Sequence, residues 1–296
     1  MAARHADRFV RDQKHIAVLF HARSLRKDLR SSVVFHLADR WRASGHRVTM
    51  LRGTRRYVPA DVLFVHVDLS VVPDEYLELA SRYPAAINHR VKDIRKSRIS
   101  EQLVSAHDQW NGPVIVKSDL NYGGEPERRL GTPRALRWAR AGGVLGRLHR
   151  SWLGGSIPGG WQSYRLYQRA GLVPPELWED PAVVIERFLP EVEAGRFHLR
   201  VYQFLGDRST CRRLASDVPI VKAANRLHSE QVEPHPIVAT WRDRLGLDYG
   251  KLDYVIHEGT PILLDVNKTT GVDHLSAPER QRRRQYLAEG IGSFFV

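Results

Sequence analysis

Between residues 15 and 87 the hydrophobic period changes repeatedly from strand-like to helix-like and back, and this alternation restricts the fold more than any other feature of the chain. HIAVLF (15–20) is a short apolar run, and RSSVVFHLADRWRAS (30–44) repeats apolar residues at helical spacing and stops before Gly45. HRVTML (46–51) and DVLFVHV (61–67) read as strands, a helix opens after Pro73 around EYLELASRY, and AAI (85–87) closes the series. The pattern predicts a small doubly wound α/β unit over residues 15–90, preceded by a charged arm at 1–14 with no apolar signal-peptide core.

Beyond it, VKDIRKSRIS reads as a basic helical stretch, and GPVIVKSDLNYGGEP (112–126) follows. There the apolar strand Val114–Val116 delivers Lys117 at its end, and a turn with Asn121, Gly123 and Gly124 comes directly after. Glycines permit close backbone approach, so such a turn can aim N–H groups at phosphate oxygens while the lysine supplies a point charge. The same residues also suit an ordinary hairpin. Residues 141–161 are rich in Gly and Trp without a clean period, and Trp152 and Trp161 suggest a packed cover.

Two later stretches carry more polar groups than strands usually hold. DPAVVIERFLPEVEAGRFHLRVYQFLGD (180–207) reads as strand VVIE, linker FLP and strand HLRVYQFL bearing Arg200. YGKLDYVIHEGTPILLDVNKTTG (249–271) reads as a two-strand meander turning at EGTP, with Asp253 on one strand and Asp265 and Asn267 on the other. Asp265 and Asn267 lie two apart and share a face, and pairing across the turn brings Asp253 to it. Two carboxylates and an amide oxygen suit a hard cation such as Mg²⁺. The competing reading makes Asp265 a turn cap and has Asn267 bond its own backbone.

The order of these segments resembles the ATP-grasp superfamily, over roughly residues 90–275, and is similar to its ribosomal-modification and D-alanine ligase groups. The resemblance implies a Rossmann-like α/β domain followed by a two-subdomain ATP-grasp fold at 91–296, with the 141–161 insertion inside it. It implies ATP and Mg²⁺ as cofactors, with two ions, and a carboxylate activated as an acylphosphate for attack by an amine or thiol. On this resemblance Lys117 contacts phosphates and the Asn121–Gly124 loop, with Gly123, covers them. Glu186 with the backbone of Arg187 and Leu189 reads adenine, and Lys222 in PIVKAAN is a further phosphate lysine. Arg200 steadies the transferred phosphoryl group, and Asp253, Asp265 and Asn267 hold metal.

The chain departs from the family at several positions. His198 stands where an aspartate for the ribose is usual, two residues before Arg200, so Glu193 is the alternative ribose ligand. The earlier phosphate lysine is expected about forty residues before Lys117, yet Lys96 and Lys92 precede it by 21 and 25, with Lys96 preferred. The family's Asn-x-x-Pro-Gly ending appears as NKTTG, which places Lys268 beside the metal site as either a contact to the acceptor or a solvent-facing residue.

Composition sets the remaining bounds. A net charge of +13 calls for an anionic partner, which phosphates supply; no nucleic-acid signature accompanies it, so nucleic acid is not the expected partner. The dense run Arg280, Arg282, Arg283, Arg284 reads as a solvated helix face. The single cysteine, Cys211, forbids an internal disulfide and points to a reducing, cytoplasmic home, and no apolar window spans a membrane. No nucleophile motif surrounds Cys211. The expected substrates are a small-molecule or peptide carboxylate with an amine or thiol acceptor, and homodimerisation stays open. A kinase acting on a hydroxyl and a nucleotide-responsive nucleic-acid or peptide-binding protein are the alternatives.

Overall fold

The computed structural model describes residues 13–131, 164–271 and 275–295. The Gly/Trp-rich stretch at 141–161 and most of the N-terminal arm lie outside the described residues. The chain combines one parallel sheet with two antiparallel sheets, each packed against helices.

β1 (His15–Phe20), β2 (Arg47–Arg52), β3 (Val62–His66) and β4 (Ala85–Ile87) form a parallel sheet in the order β2-β1-β3-β4. The unbroken apolar run of β1 follows from burial on both faces. Ile16, Val18 and Phe20 pack under the Val33–Ala43 helix, and Ala17 and Leu19 join Tyr76 and Leu79 of the Asp74–Ala80 helix. The Val33–Ala43 helix buries Val33, Val34, Leu37, Ala38 and Trp41, the spacing its sequence announces, and the chain leaves it through Gly45 at φ +90°.

The expected basic helix at 91–100 shrinks to Lys96–Ile99. The residues before it pair with the chain at 70–72 instead: Val72 N donates to Lys92 O, Ile94 N donates to Ser70 O, and Val71 bridges Asp93. Tertiary partners for those backbone groups override a weak local preference.

β5 (Val114–Ser118) lies between β6 (Arg165–Tyr167) and β7 (Val183–Arg187) in an antiparallel three-stranded sheet. The second antiparallel sheet contains β8 (Glu191–Glu193), β9 (Arg196–Leu205), β10 (Arg208–Ser216), β11 (His228–Gln231), β12 (Tyr249–His257) and β13 (Thr260–Asn267). Its order is β11-β10-β9-β12-β13, with β8 beside β9. β12 and β13 form the expected hairpin, turning at Glu258 and Gly259, both at positive φ. One face packs Tyr202, Cys211, Leu252 and Tyr254 against Val238 and Trp241 of the Ile237–Leu245 helix.

The C-terminal helix, Ala277–Glu289, crosses the boundary drawn at residue 90. Its Leu287 and Ala288 join the core of the parallel sheet, and the Trp41 indole N–H donates to Ala288 O at 2.9 Å.

Candidate functional site

The glycine turn after β5 is no hairpin. Asn121–Gly124 form a 3₁₀ turn with Tyr122, Gly123 and Gly124 at positive φ, which runs into the Glu125–Leu130 helix. The turn is tied down at its first residue: Asn121 Nδ2 donates to Val266 O of β13 at 2.8 Å, and Asn121 N donates to Ser70 Oγ at 3.0 Å. Gly123 O accepts from Arg128 at 2.7 Å.

Strand alternation then decides which charges meet. In the three-stranded sheet Val114, Val116 and Ile185 face the cluster with Leu177, so Ile115, Lys117, Val184 and Glu186 point the other way. That face looks toward β13, because Lys117 Nζ reaches Leu264 O at 3.5 Å. Lys117 and Glu186 form a buried ion pair at 2.6 Å, and Glu186 Oε1 makes no hydrogen bond among the described residues. Glu186 is thus a partner for the lysine. The Arg187 N–H donates to Gln102 O at 2.8 Å, and the Arg187 guanidinium lies over the Trp110 ring. Leu189 stays half-buried in the linker joining the two sheets.

Across the cleft, Asp253 and Asp265 stand opposite each other in the β12–β13 register, and Lys251 stands opposite Asn267. Lys96, buried, lies 3.2 Å from Asp265 Oδ1 and donates to Asn121 Oδ1 at 3.2 Å, whereas Lys92 pairs with Asp74 on the surface. The structure therefore brings Lys96, and not Lys92, to the aspartates. Lys251 pairs with Asp253 at 2.7 Å. Burial and the neighbouring Asp265 charge push the Asp253 carboxyl up from the ordinary range, against the pull of Lys251. Burial works against the Lys251 ammonium, but Asp253 and Asp265 outweigh it and hold that pKa up. Asp253 Oδ1 is buried and without a hydrogen-bond partner among the described residues.

Asp265 is no turn cap, since it sits inside β13. Asn267 does what the competing reading asks: its Oδ1 accepts from Thr269 N at 2.9 Å. Lys268 is not solvent-facing. It is buried, its Nζ donates to Val67 O beyond the end of β3, and burial pulls its pKa down to about 8 despite the charges of Asp68 and Glu127. Lys222, half-buried with its pKa lowered by burial, lies over the Tyr164 ring at 5.1 Å.

Arg200 does not join this group. Across the β9–β12 pair Val201 stands opposite Asp253 and Arg200 opposite Tyr254, so Arg200 leaves the opposite face of the sheet. There it binds Glu191 through Nε and Nη2 at 3.0 and 2.9 Å, Arg213 binds the same carboxylate at 2.9 Å, and Ile256 N donates to it at 2.8 Å. His198 shares the Arg200 face by the same alternation, and exposed Glu193 pairs with Arg213. Neither ribose candidate therefore lies on the Asp253 face. Lys251 and Glu191 were both missed from sequence. Lys251 was legible, two residues before Asp253 on the same strand; Glu191 carried no signal beyond its charge.

No family model matches the chain, and no curated protein matches it either. Among solved structures, the ATP-grasp ligase PsnB complexed with minimal precursor, Mg and ADP is similar at 14% identity and TM-score 0.48, covering 95% of this chain and 97% of that one. The D-alanine–D-alanine ligase of Bacillus anthracis complexed with ATP is similar at 10% identity and TM-score 0.47, covering 95% and 96%. A RimK domain protein ATP-grasp from Sphaerobacter thermophilus is similar at 13% identity and TM-score 0.44, covering 94% and 99%.

Proposed function

We propose that the chain is an ATP- and Mg²⁺-dependent ligase of the ATP-grasp type, which activates a carboxylate for attack by an amine or thiol and releases ADP. One observation carries the reading. Lys96, Lys117 and Lys251 meet Asp253, Asp265 and Glu186 in the cleft between the two antiparallel sheets. Such charges are costly to bury for packing alone, and none of these groups is a nucleophile in a nucleophile's setting. Phosphoryl transfer asks a protein for this kind of equipment: placed cations and metal-binding oxygens.

The donor set fits Mg²⁺. Two carboxylates oppose each other, each with an Oδ1 that accepts no hydrogen bond among the described residues, and ammonium groups of Lys96 and Lys251 now supply the positive charge they require. No third His, Cys, Asp or Glu joins them among the described residues, so Asp253 and Asp265 would hold the metal with the remaining positions left to phosphate and water. Bound Mg²⁺ would neutralise phosphate charge and fix its orientation. Ile115, Val184 and half-exposed Leu166, beside Lys117, form the apolar wall for a base. Lys117 and Lys96 would reach phosphate oxygens, at the expense of their present carboxylate partners. The Tyr122–Gly124 turn would bring its backbone close to the same oxygens. Lys268, with a depressed pKa, stands between β13 and the end of the parallel sheet, suited to contact an acceptor.

The test is ADP release in the presence of Mg²⁺ against a panel of amino acids, peptides and small carboxylates, with the product weighed by mass spectrometry. A condensed product supports the ligase; a phosphorylated alcohol would replace it by a kinase; no ADP from any pair, in a protein that also binds no Mg²⁺–ATP, would end the reading.

A further inference from the structure

The Val33–Ala43 helix and the C-terminal helix meet on one face of the parallel sheet, with Leu37 and Trp41 packed beside Leu287 and Ala288. Beside that apolar seam the two helices present cations to one another. His36 and Arg40 lie four apart on the first helix, and Arg280 and Arg284 lie four apart on the second, so each pair forms one stripe. The helices pack along this line, with Trp41 donating to Ala288 O and Arg40 sharing a cavity wall with Gln281 and Gln285 of the C-terminal helix; in keeping with that, Arg284 feels the charges of Arg280 and Arg40, and His36 those of Arg284 and Arg280.

Among the described residues no carboxylate closes this ladder. Asp39, which also acts on His36, forms its ion pair with Arg42 at 2.9 Å. Glu279 accepts from Ser276 at the start of its own helix, and Glu289 lies 3.7 Å from Arg208. Arg280 spends one nitrogen on Leu275 O at 3.0 Å, and Arg284 has Nε and Nη2 buried with no hydrogen-bond partner among the described residues. Like charges at this spacing repel, and a buried guanidinium donor left unpaired is destabilising. An apolar residue would pack there at less cost, so the stripe asks for a ligand. A cavity of about 470 Å³ opens beside it, lined by Arg40, Gln281, Arg282, Gln285, Tyr286 and Glu289.

We infer that the seam between these two helices is an oxyanion site for a phosphate group, either inorganic phosphate or a phosphate monoester. Three guanidinium groups approaching from two helices match a tetrahedral dianion, which accepts several N–H bonds in different directions; a carboxylate would neutralise one of them. None of these residues belongs to the cleft of Lys117 and Asp253, so the site stands whether or not the ligase reading does.

The experiment titrates inorganic phosphate, and separately methyl phosphate, into the full chain by calorimetry at fixed ionic strength in chloride. The same titrations are run on Arg284→Met, Arg40→Gln and Lys117→Met. Binding by the unaltered chain that weakens at least tenfold in Arg284→Met and in Arg40→Gln, and persists in Lys117→Met, supports the site. Methyl phosphate binding as tightly as the free ion assigns it to phosphate carried on a larger molecule; binding of the free ion alone assigns it to inorganic phosphate. The phosphate-free melting temperature of Arg284→Met should equal or exceed that of the unaltered chain. Phosphate affinity unchanged in both arginine variants, or lost in Lys117→Met alone, would overturn the inference.

Discussion

The two faces of the six-stranded sheet hold charge in opposite ways. On the face covered by the Ile237–Leu245 helix, Glu191 receives Arg200, Arg213 and the Ile256 amide, and its carboxylate is used on all sides. On the cleft face, Lys251 and Lys96 serve Asp253 and Asp265 singly, Asp253 Oδ1 has no donor among the described residues, and the two carboxylates face each other. Both faces pair cationic with anionic side chains on one sheet. A network whose hydrogen bonds are complete serves stability, whereas incompletely satisfied, mutually repelling groups mark where a ligand's charge is needed.

The sharpest way to break this contrast is Asp265→Asn. Asparagine keeps the shape and removes one charge from the opposed pair. Turnover, read as ADP formation at saturating Mg²⁺, should fall on the order of 10²–10³-fold, the scale for losing one preorganised electrostatic contact. The metal-free melting temperature should change less than in Glu191→Gln, because relief of the repulsion with Asp253 offsets the lost pairing with Lys96. A variant with full turnover would remove the cleft face from the chemistry.

Glu191→Gln tests the other face. Breaking a buried ion network should cost about 3 kcal/mol of stability, measured by denaturant unfolding, with turnover per folded molecule nearly kept. Acid sharpens it. Burial by itself would raise the Glu191 pKa, but the Arg200 hydrogen bond, the Ile256 amide and the charges of Arg200 and Arg213 hold it below the usual glutamate range. A carboxylate depressed in the folded state contributes fully above its unfolded pKa and loses that contribution as pH falls through the folded one. Stability of the unaltered chain should therefore drop below the ordinary glutamate range more steeply than that of Glu191→Gln. Turnover collapsing in a stable Glu191→Gln would reverse the roles of the two faces.

A non-hydrolysable ATP analogue at 100 times its Kd should stabilise the chain by about 2.7 kcal/mol with Mg²⁺, and by clearly less without it. Equal shifts would count against metal at the aspartates. Calorimetry with the same analogue counts the ions, for which two are expected. The smallest effect is assigned to Arg282→Ser on the exposed side of the C-terminal helix, within about 0.5 kcal/mol in stability and with ADP formation unchanged.

Residue types and their period made much of this legible. The Val33–Ala43 helix, the buried strands of the parallel sheet and the β12–β13 hairpin follow from spacing, whereas the pairing of Asp253 with Asp265 does not, since the turn at Glu258 and Gly259 alone would set Leu264 opposite Asp253 and a β-bulge shifts the register by one. Sharing of a face by Asp265 and Asn267 was also contained in the sequence, as was that of Lys251 and Asp253. The helix at 91–100 failed because its backbone groups bond a distant segment, which no local pattern records.

From its sequence alone the chain determined which residues carry charge on which strands and which of them share a strand face, because side-chain direction within a strand is a local property of period two. Only the tertiary structure decided which faces meet. Register across β9 and β12 sends Arg200 to Glu191 and away from Asp253, and the fold of β5 and of the Lys96–Ile99 helix onto β13 brings Lys117 to Leu264 O and Lys96 to Asp265. Register is set by contacts between residues far apart in the chain, and sliding a strand by one residue reverses every side chain on it.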